Sequence, residues 1–207
     1  MTPAERLARG VAALGIAVSE AVQQTLLDYL ALIGKWNRVH NLTAIREIDG
    51  MVTHHLLDSL AVLPHLPGHR LLDVGTGAGL PGIVLAIVRP DWQVTLLDSN
   101  QKKTAFLRQA VIELKLANTE VLCERIENLD RPQAYDVVIS RAFSALADFV
   151  TAALPVLAPG GVLAAMKGVY PRDEITQLPA TVRQLRDVAL IVPDLAAERH
   201  LLLLTPA

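Results

Sequence analysis

Cysteine is almost missing from this chain: Cys123 is the only one in 207 residues. It has no partner for an internal disulfide, so the expected setting is reducing and cytoplasmic. An excess of either charge is missing too. Nineteen Lys and Arg stand against 21 Asp and Glu, for a net charge of -2 and a pI of about 6.3. No global basic field advertises nucleic acid, which leaves only local patches for such a partner. No run approaches the roughly 18 apolar residues that span a bilayer. The opening MTPAERLARG scatters its apolar residues among charges and does not read as a signal peptide. No segment is of low complexity. Asn41-Leu42-Thr43 matches a glycosylation sequon, which carries no meaning without secretion.

What is present is a chain 52% hydrophobic and 19% charged, enough for one sizeable core with a small appended element. Residues 1–66 read as a helical extension. Ser19 is a helix cap followed by Glu20 in the favoured first turn. Val22, Leu26, Tyr29, Ile33 and Trp36 then recur at helical spacing on one face. A second helix is expected over 48–63, stopped by Pro64. Pro67-Gly68 marks a turn, and residues 67–207 form the second region.

There the pattern alternates. Strands are expected at 70–74, 94–98, 119–123, 135–140, 162–167, 182–192 and 199–204. Helices are expected at 80–88, with a proline in the first turn, at 101–117 and at 145–157. Near-continuous apolar strands alternating with helices imply a parallel sheet covered on both faces. The last two strands have only a short connection, so at least one runs antiparallel.

The stretch LLDVGTGAGLPG carries the main signal. Gly75, Gly77 and Gly79 follow a strand that carries Asp73, where bare backbone lets a ligand approach closely and a helix start presents unpaired N–H groups. This is a nucleotide-type site at the carboxyl end of a strand. A dinucleotide fingerprint needs its third glycine at position 80, where this chain has the bulky Leu80. That disfavours a pyrophosphate and favours S-adenosyl-L-methionine, a nucleoside joined to an amino acid through a sulfonium. Asp98 ends the second strand, 19 residues after Gly79. It is placed to accept from both ribose hydroxyls, or else to cap the next helix. The loop holding Ile126 and Glu127 is expected over the adenine, with Ile126 giving backbone and apolar contact and Glu127 accepting from the amine; a solvated loop acid is the alternative. Ser99, beside Asp98, is counted with the donor-binding set.

Several further stretches stand in one order along the chain: KWNRVHNLTAIRE (35–47), HHLLDSL (54–60), LLDSNQKKTAFLRQ (96–109), ISRAF (139–143) and ERHLLLL (198–204). With the glycine segment, they resemble the bacterial small-subunit (16S) ribosomal RNA guanine-N7 methyltransferase family, RsmG or GidB, from about residue 18 to 204. The resemblance implies a class I S-adenosylmethionine-dependent methyltransferase fold: Rossmann-like α/β, a mostly parallel seven-stranded sheet with an antiparallel final strand, and an N-terminal helical extension. It implies methyl transfer to N7 of a guanine in the decoding region of 16S rRNA, with S-adenosyl-L-homocysteine as product. It places donor contacts at Gly75, Leu80, Ile126, Glu127 and Arg141. Ala78 stands where relatives often carry proline, and both are small.

The chemistry agrees with the residues. Guanine N7 carries an in-plane lone pair, so attack on a sulfonium methyl needs placement and no general base. The Asn/Asp-Pro-Pro-aromatic segment that holds an exocyclic nitrogen is missing after the fourth strand, where Ser140-Arg141-Ala142-Phe143 stands. Arg141 is the candidate catalytic residue, acting by positioning on guanine O6, the donor carboxylate or a phosphate; a surface ion pair is the alternative. Phe143 either stacks on the base or belongs to the core. Cys123, on an expected inner strand, reads as core rather than nucleophile. His54, His55 and Asp58 lack metal-ligand spacing, and no metal is expected. His55 and Asp58 read as a helix-surface hydrogen bond, with a floor of the substrate cleft as the other reading.

RNA contact is expected from Lys102, Lys103, Arg108, Arg125, Lys167 and Arg199, with Arg141 and Arg172 beside them. A near-neutral chain binds naked RNA weakly, so the expected partner is 16S rRNA within a small subunit or an assembly intermediate. No membrane partner is expected. Three other functions compete: a small-molecule methyltransferase, an NAD-binding module, and an inactive RNA-binding scaffold.

Overall fold

The computed structural model describes residues 1–141, 143 and 145–206. The chain opens with helix α1 (Pro3–Ala13), begun by a reciprocal capping box between Thr2 and Glu5. Helix α2 (Glu20–His40) starts where expected, with the Ser19 hydroxyl accepting from the Val22 N–H. It ends at Asn41, whose φ of 47° is left-handed. Leu26, Tyr29, Leu30 and Ile33 are fully buried on its inner face, and Trp36 lies half-buried edge-on to Phe106. The expected second helix is three segments in succession: α3 (Ile48–Met51), a π-helical turn (Val52–Leu57) and α4 (Asp58–Leu60). A short 3-10 turn, Leu63–His65, follows.

Seven strands form one sheet: β1 (Arg70–Val74), β2 (Gln93–Leu97), β3 (Thr119–Leu122), β4 (Tyr135–Ser140), β5 (Leu157–Lys167), β6 (Val182–Ala189) and β7 (His200–Pro206). Their order is β3-β2-β1-β4-β5-β7-β6. The β3-β2-β1-β4-β5 block is parallel, and β7 runs antiparallel to both β5 and β6. Helices α5 (Gly82–Val88), α6 (Gln101–Glu113), α7 (Leu146–Ala153) and α8 (Arg172–Thr176) complete the fold.

Period-two alternation divides the core. Leu71, Val137, Ala164 and Leu203 face the N-terminal helices, α5 and α6, whereas Leu72, Val138, Leu163 and Leu204 face α7. This is why the strands read as unbroken apolar runs. One continuous hydrophobic cluster joins Leu7, Leu30 and Leu57 of the extension to Ile83, Phe106 and Ile139.

Several local readings change: the helix expected over 101–117 ends at Glu113, and that expected over 145–157 ends at Ala153. The helix expected from 80 starts at Gly82, because Pro81 is its N-cap rather than part of its first turn. β5 starts at Leu157, with Pro159-Gly160-Gly161 inside it as an irregularity; its pairing with β4 shifts there and Gly160 has φ 76°. The strand expected over 182–192 ends at Ala189. Cys123 is not core: β3 is an edge strand, and Cys123 lies half-buried just past its end.

Candidate active site

The carboxyl ends of β1, β2, β3 and β4 open on one edge of the sheet. The loop after β1 is pinned from below. The Gly75 and Thr76 N–H groups donate to the Leu97 carbonyl at 2.8 and 3.1 Å, and the Gly77 N–H donates to Asp98 Oδ2 at 2.9 Å. Gly77 and Gly79 have φ of 62° and 94°. A Cβ on Gly79 would lie 2.6 Å from Ile83 Cδ1, so this glycine lets the loop close onto α5. A Cβ on Gly77 would meet nothing nearer than 3.9 Å.

Asp73 is the fastener of this loop. It is fully buried, and its Oδ2 accepts from the Thr76 hydroxyl at 2.6 Å and the Gly82 N–H at 2.7 Å. Burial pushes its carboxyl up to about 6, against the Thr76 and Gly82 hydrogen bonds and the charge of Arg141. The helix start expected to offer free N–H groups therefore does not: Asp73 holds Gly82, and the Ile83 N–H donates to the Gly79 carbonyl at 2.8 Å. The helix start is thus tied down from behind the loop by a buried carboxylate. Leu80 also differs from expectation. It is 2% exposed and packs into the main core, so its bulk fills space behind the loop and does not confront a ligand.

A cleft of about 390 Å³ lies in front of the loop, lined by Gly75, Asp98, Ser99, Ile126, Glu127 and Phe143 together with Arg125 and Lys103. Asp98 is buried at its rim; Oδ1 accepts from the Asn100 N–H at 2.9 Å. The cap of α6 is Asn100, whose side chain accepts from Lys102 and Lys103 N–H groups, so Asp98 is not the helix cap. Ile126 is buried in a short 3-10 turn (Ile126–Asn128), with Glu127 exposed beside it. Phe143 is half-buried 5.3 Å from the Phe149 ring, both packed core and cleft wall; its neighbour Ala142 lies outside the described residues. The size suits a nucleoside with an amino-acid tail. The carboxylate of Asp98 and the bare backbone at Gly75, with the Gly82 and Ile83 N–H groups already taken, fit S-adenosyl-L-methionine better than a dinucleotide.

A second cleft, also of about 390 Å³, has walls from Thr43, His54, His55, Asp58, Arg141, Lys167 and Arg199. Asp58, 2% exposed, lies between two guanidinium groups: its Oδ1 accepts from Arg199 Nε at 2.8 Å, and its Oδ2 is 3.6 Å from Arg141 Nη1. Arg141 also donates to the His54 carbonyl at 3.4 Å. The expected His55–Asp58 surface hydrogen bond does not exist. Both side chains are buried, His55 in the π-helical turn and Asp58 at the start of α4 just past it, and His55 Nε2 pairs with Thr43 Oγ1 at 2.9 Å. Burial lowers His55 to about 4, so it is neutral at physiological pH. Thr43 is held in turn by Asn37, whose side-chain amide bonds both its N–H and its carbonyl. Among the described residues no three His, Cys, Asp or Glu group together as a metal site.

The basic residues divide. Lys102, Arg108 and Arg125 are exposed. Lys103 is 3.9 Å from Asp98. Lys167 is committed to Glu174 at 2.8 Å, Arg199 to Asp58, and Arg172 lies over the Tyr170 ring. Lys167 and Arg199 are thus paired cations, not free ones. Three functional neighbours escaped sequence reading: Tyr29, whose hydroxyl donates to the Ala78 carbonyl at 2.6 Å, Asn37 and Glu174. Asn37 and Thr43 both lie in the 35–47 stretch, which was the available signal.

A family model described as rRNA small subunit methyltransferase G matches residues 22–202. A ribosomal RNA small subunit methyltransferase G of Nitrosospira multiformis is 54% identical, over 100% of this chain and 99% of its own. Its counterpart in Laribacter hongkongensis is 55% identical, over 95% of each. Among solved structures, a SAM-dependent methyltransferase from Aquifex aeolicus shares the fold with a TM-score of 0.59 and 24% identity, over 72% of this chain and 90% of that one. With a matched model over most of its length and relatives above half identity end to end, this chain belongs to the rRNA small subunit methyltransferase G family.

Proposed function

We propose that this chain transfers a methyl group from S-adenosyl-L-methionine to N7 of a guanine in the decoding region of 16S rRNA. The observation that carries the reading is the placing of Phe143 and Arg141, two residues apart on the segment after β4, in the walls of two different clefts. One cleft fits the donor and the other is left for the acceptor base. Bound donor supplies an electrophilic methyl on its sulfonium. Asp98 accepts from the ribose hydroxyls, the Ile126–Glu127 turn holds the adenine, Ser99 lies at the rim, and Gly75 and Gly77 let the ligand lie against main chain. Asp73 and Leu80 act behind the loop, holding its shape.

Arg141 positions the acceptor. Its guanidinium, anchored by Asp58 and the His54 carbonyl, orients guanine through O6 or a flanking phosphate. N7 needs no proton removed, so no general base is required and orientation supplies the rate. The substrate is 16S rRNA inside a small subunit or an assembly intermediate, in the cytoplasm. A net charge of -2 and the pairing of Lys167 and Arg199 support a particle over naked RNA. The test is transfer to unmethylated particles and to protein-free 16S rRNA in parallel. Faster transfer to particles is expected, and equal rates would count against the particle.

A further inference from the structure

The extension carries a groove that the methyl-transfer site does not use. It has a volume of about 490 Å³ and lies between α2 and the start of α3, with Lys35, Arg38 and Arg46 in its walls and no carboxylate among its lining residues. All three cations are exposed, and none has an ion-pair or hydrogen-bond partner among the described residues. In a chain with more acids than bases, three unpaired cations around one concave surface are a local exception.

A second observation is independent of charge. Gly34 lies inside α2, where glycine weakens a helix relative to alanine. Nothing among the described residues explains it: a Cβ there would meet none of their atoms within 4 Å. It lines the groove. Helix stability has been given up at a position where only something outside the chain would meet a side chain.

We propose that this groove binds the sugar–phosphate backbone of the substrate rRNA, making the helical extension a docking surface for RNA; this rests on the rRNA reading above. Three unpaired cations match phosphates, and the missing side chain at Gly34 lets the backbone lie close to the helix. The groove also connects to the acceptor cleft. Asn37 lines the groove and grips Thr43, which is a wall of the acceptor cleft. RNA held on one side of the 41–47 loop thus continues on the other side toward Arg141.

The test uses unmethylated small-subunit particles, with the full chain carrying Lys35→Gln, Arg38→Gln and Arg46→Gln together, and a separate Gly34→Gln chain. The triple variant is expected to raise KM for particles about tenfold, flatten the logarithmic salt slope by about two, and change kcat less than about twofold. Donor affinity by calorimetry should not change. Gly34→Gln is expected to raise KM likewise while Tm stays level or rises, a combination that a damaged fold would not give. Unchanged KM and salt slope in both variants, with a wild type that methylates particles, would overturn the groove and leave the enzyme reading intact. A wild type that transfers no methyl to any 16S rRNA would remove the rRNA reading and the groove with it.

Discussion

The hydroxyl of Tyr29, in the middle of α2, donates a 2.6 Å hydrogen bond to the main-chain carbonyl of Ala78, in the middle of the glycine loop. The helical extension therefore braces the donor site directly. Tyr29 is fully buried, and desolvation pushes its phenol well above the usual range, so it remains a donor at every working pH.

Removing that hydroxyl alone tests the brace. Tyr29→Phe leaves the Ala78 carbonyl buried without its partner, at a cost of about 1–2 kcal/mol. Urea unfolding should report that loss, and donor Kd should weaken several-fold with little change in KM for RNA.

Gly77 and Gly79 should separate binding from folding. Gly79→Ala drives a methyl into Ile83 and Leu107, so Tm should fall steeply. Gly77→Ala meets open space, and the strain of its positive φ costs only about 1 kcal/mol. Its main effect should be weaker donor binding in calorimetry, because the methyl projects where the ligand lies.

Much of this was legible from the chain, and the rest was not for physical reasons. The limits of β1 and β4 follow from apolar runs ended by a turn, and the antiparallel β7 follows from a connection too short for a crossover. Asp73, Gly77 and Asp98 could be placed at one strand edge because the turn chemistry is local. Partners distant in sequence could not be read. Arg199 meets Asp58 across 141 positions, and nothing near either residue announces it. The π-helical turn defeated the reading of His55 and Asp58, since ordinary helical spacing assigns them to a surface. Cys123 was misjudged because apolarity does not tell an edge strand from an inner one.

Asp58 is expected to matter for turnover more than for donor binding. Asp58→Asn weakens the anchors of Arg199 and Arg141, costing about 2 kcal/mol of stability. The freed Arg141 no longer holds the base in line, so kcat should fall about ten- to a hundredfold while donor Kd stays put. Equal losses in kcat and donor affinity would contradict a positioning role.

His55 gives a pH signature. Its folded-state value, lowered to about 4 from 6.5 chiefly by burial, means that the unfolded chain binds the proton more readily between those values. The stability tied to neutral His55 is therefore full above about pH 6.5 and lost as pH falls toward 4, by up to roughly 3 kcal/mol. Asp73 works oppositely, since its raised value favours the folded state at low pH and that advantage fades as pH rises through about 6. The two oppose each other between about pH 4 and 6 in the native chain. In urea unfolding from pH 4 to 7, His55→Gln should uncover the Asp73 slope: stability that declines as pH rises. A variant whose pH profile parallels the native one would refute this assignment.

The most direct test is nucleoside mass mapping of 16S rRNA from small subunits incubated with this chain and S-adenosyl-L-methionine. The prediction is a single new 7-methylguanosine, absent with Arg141→Ala. A methyl on ribose or on an exocyclic nitrogen, or none on 16S rRNA, would contradict the account.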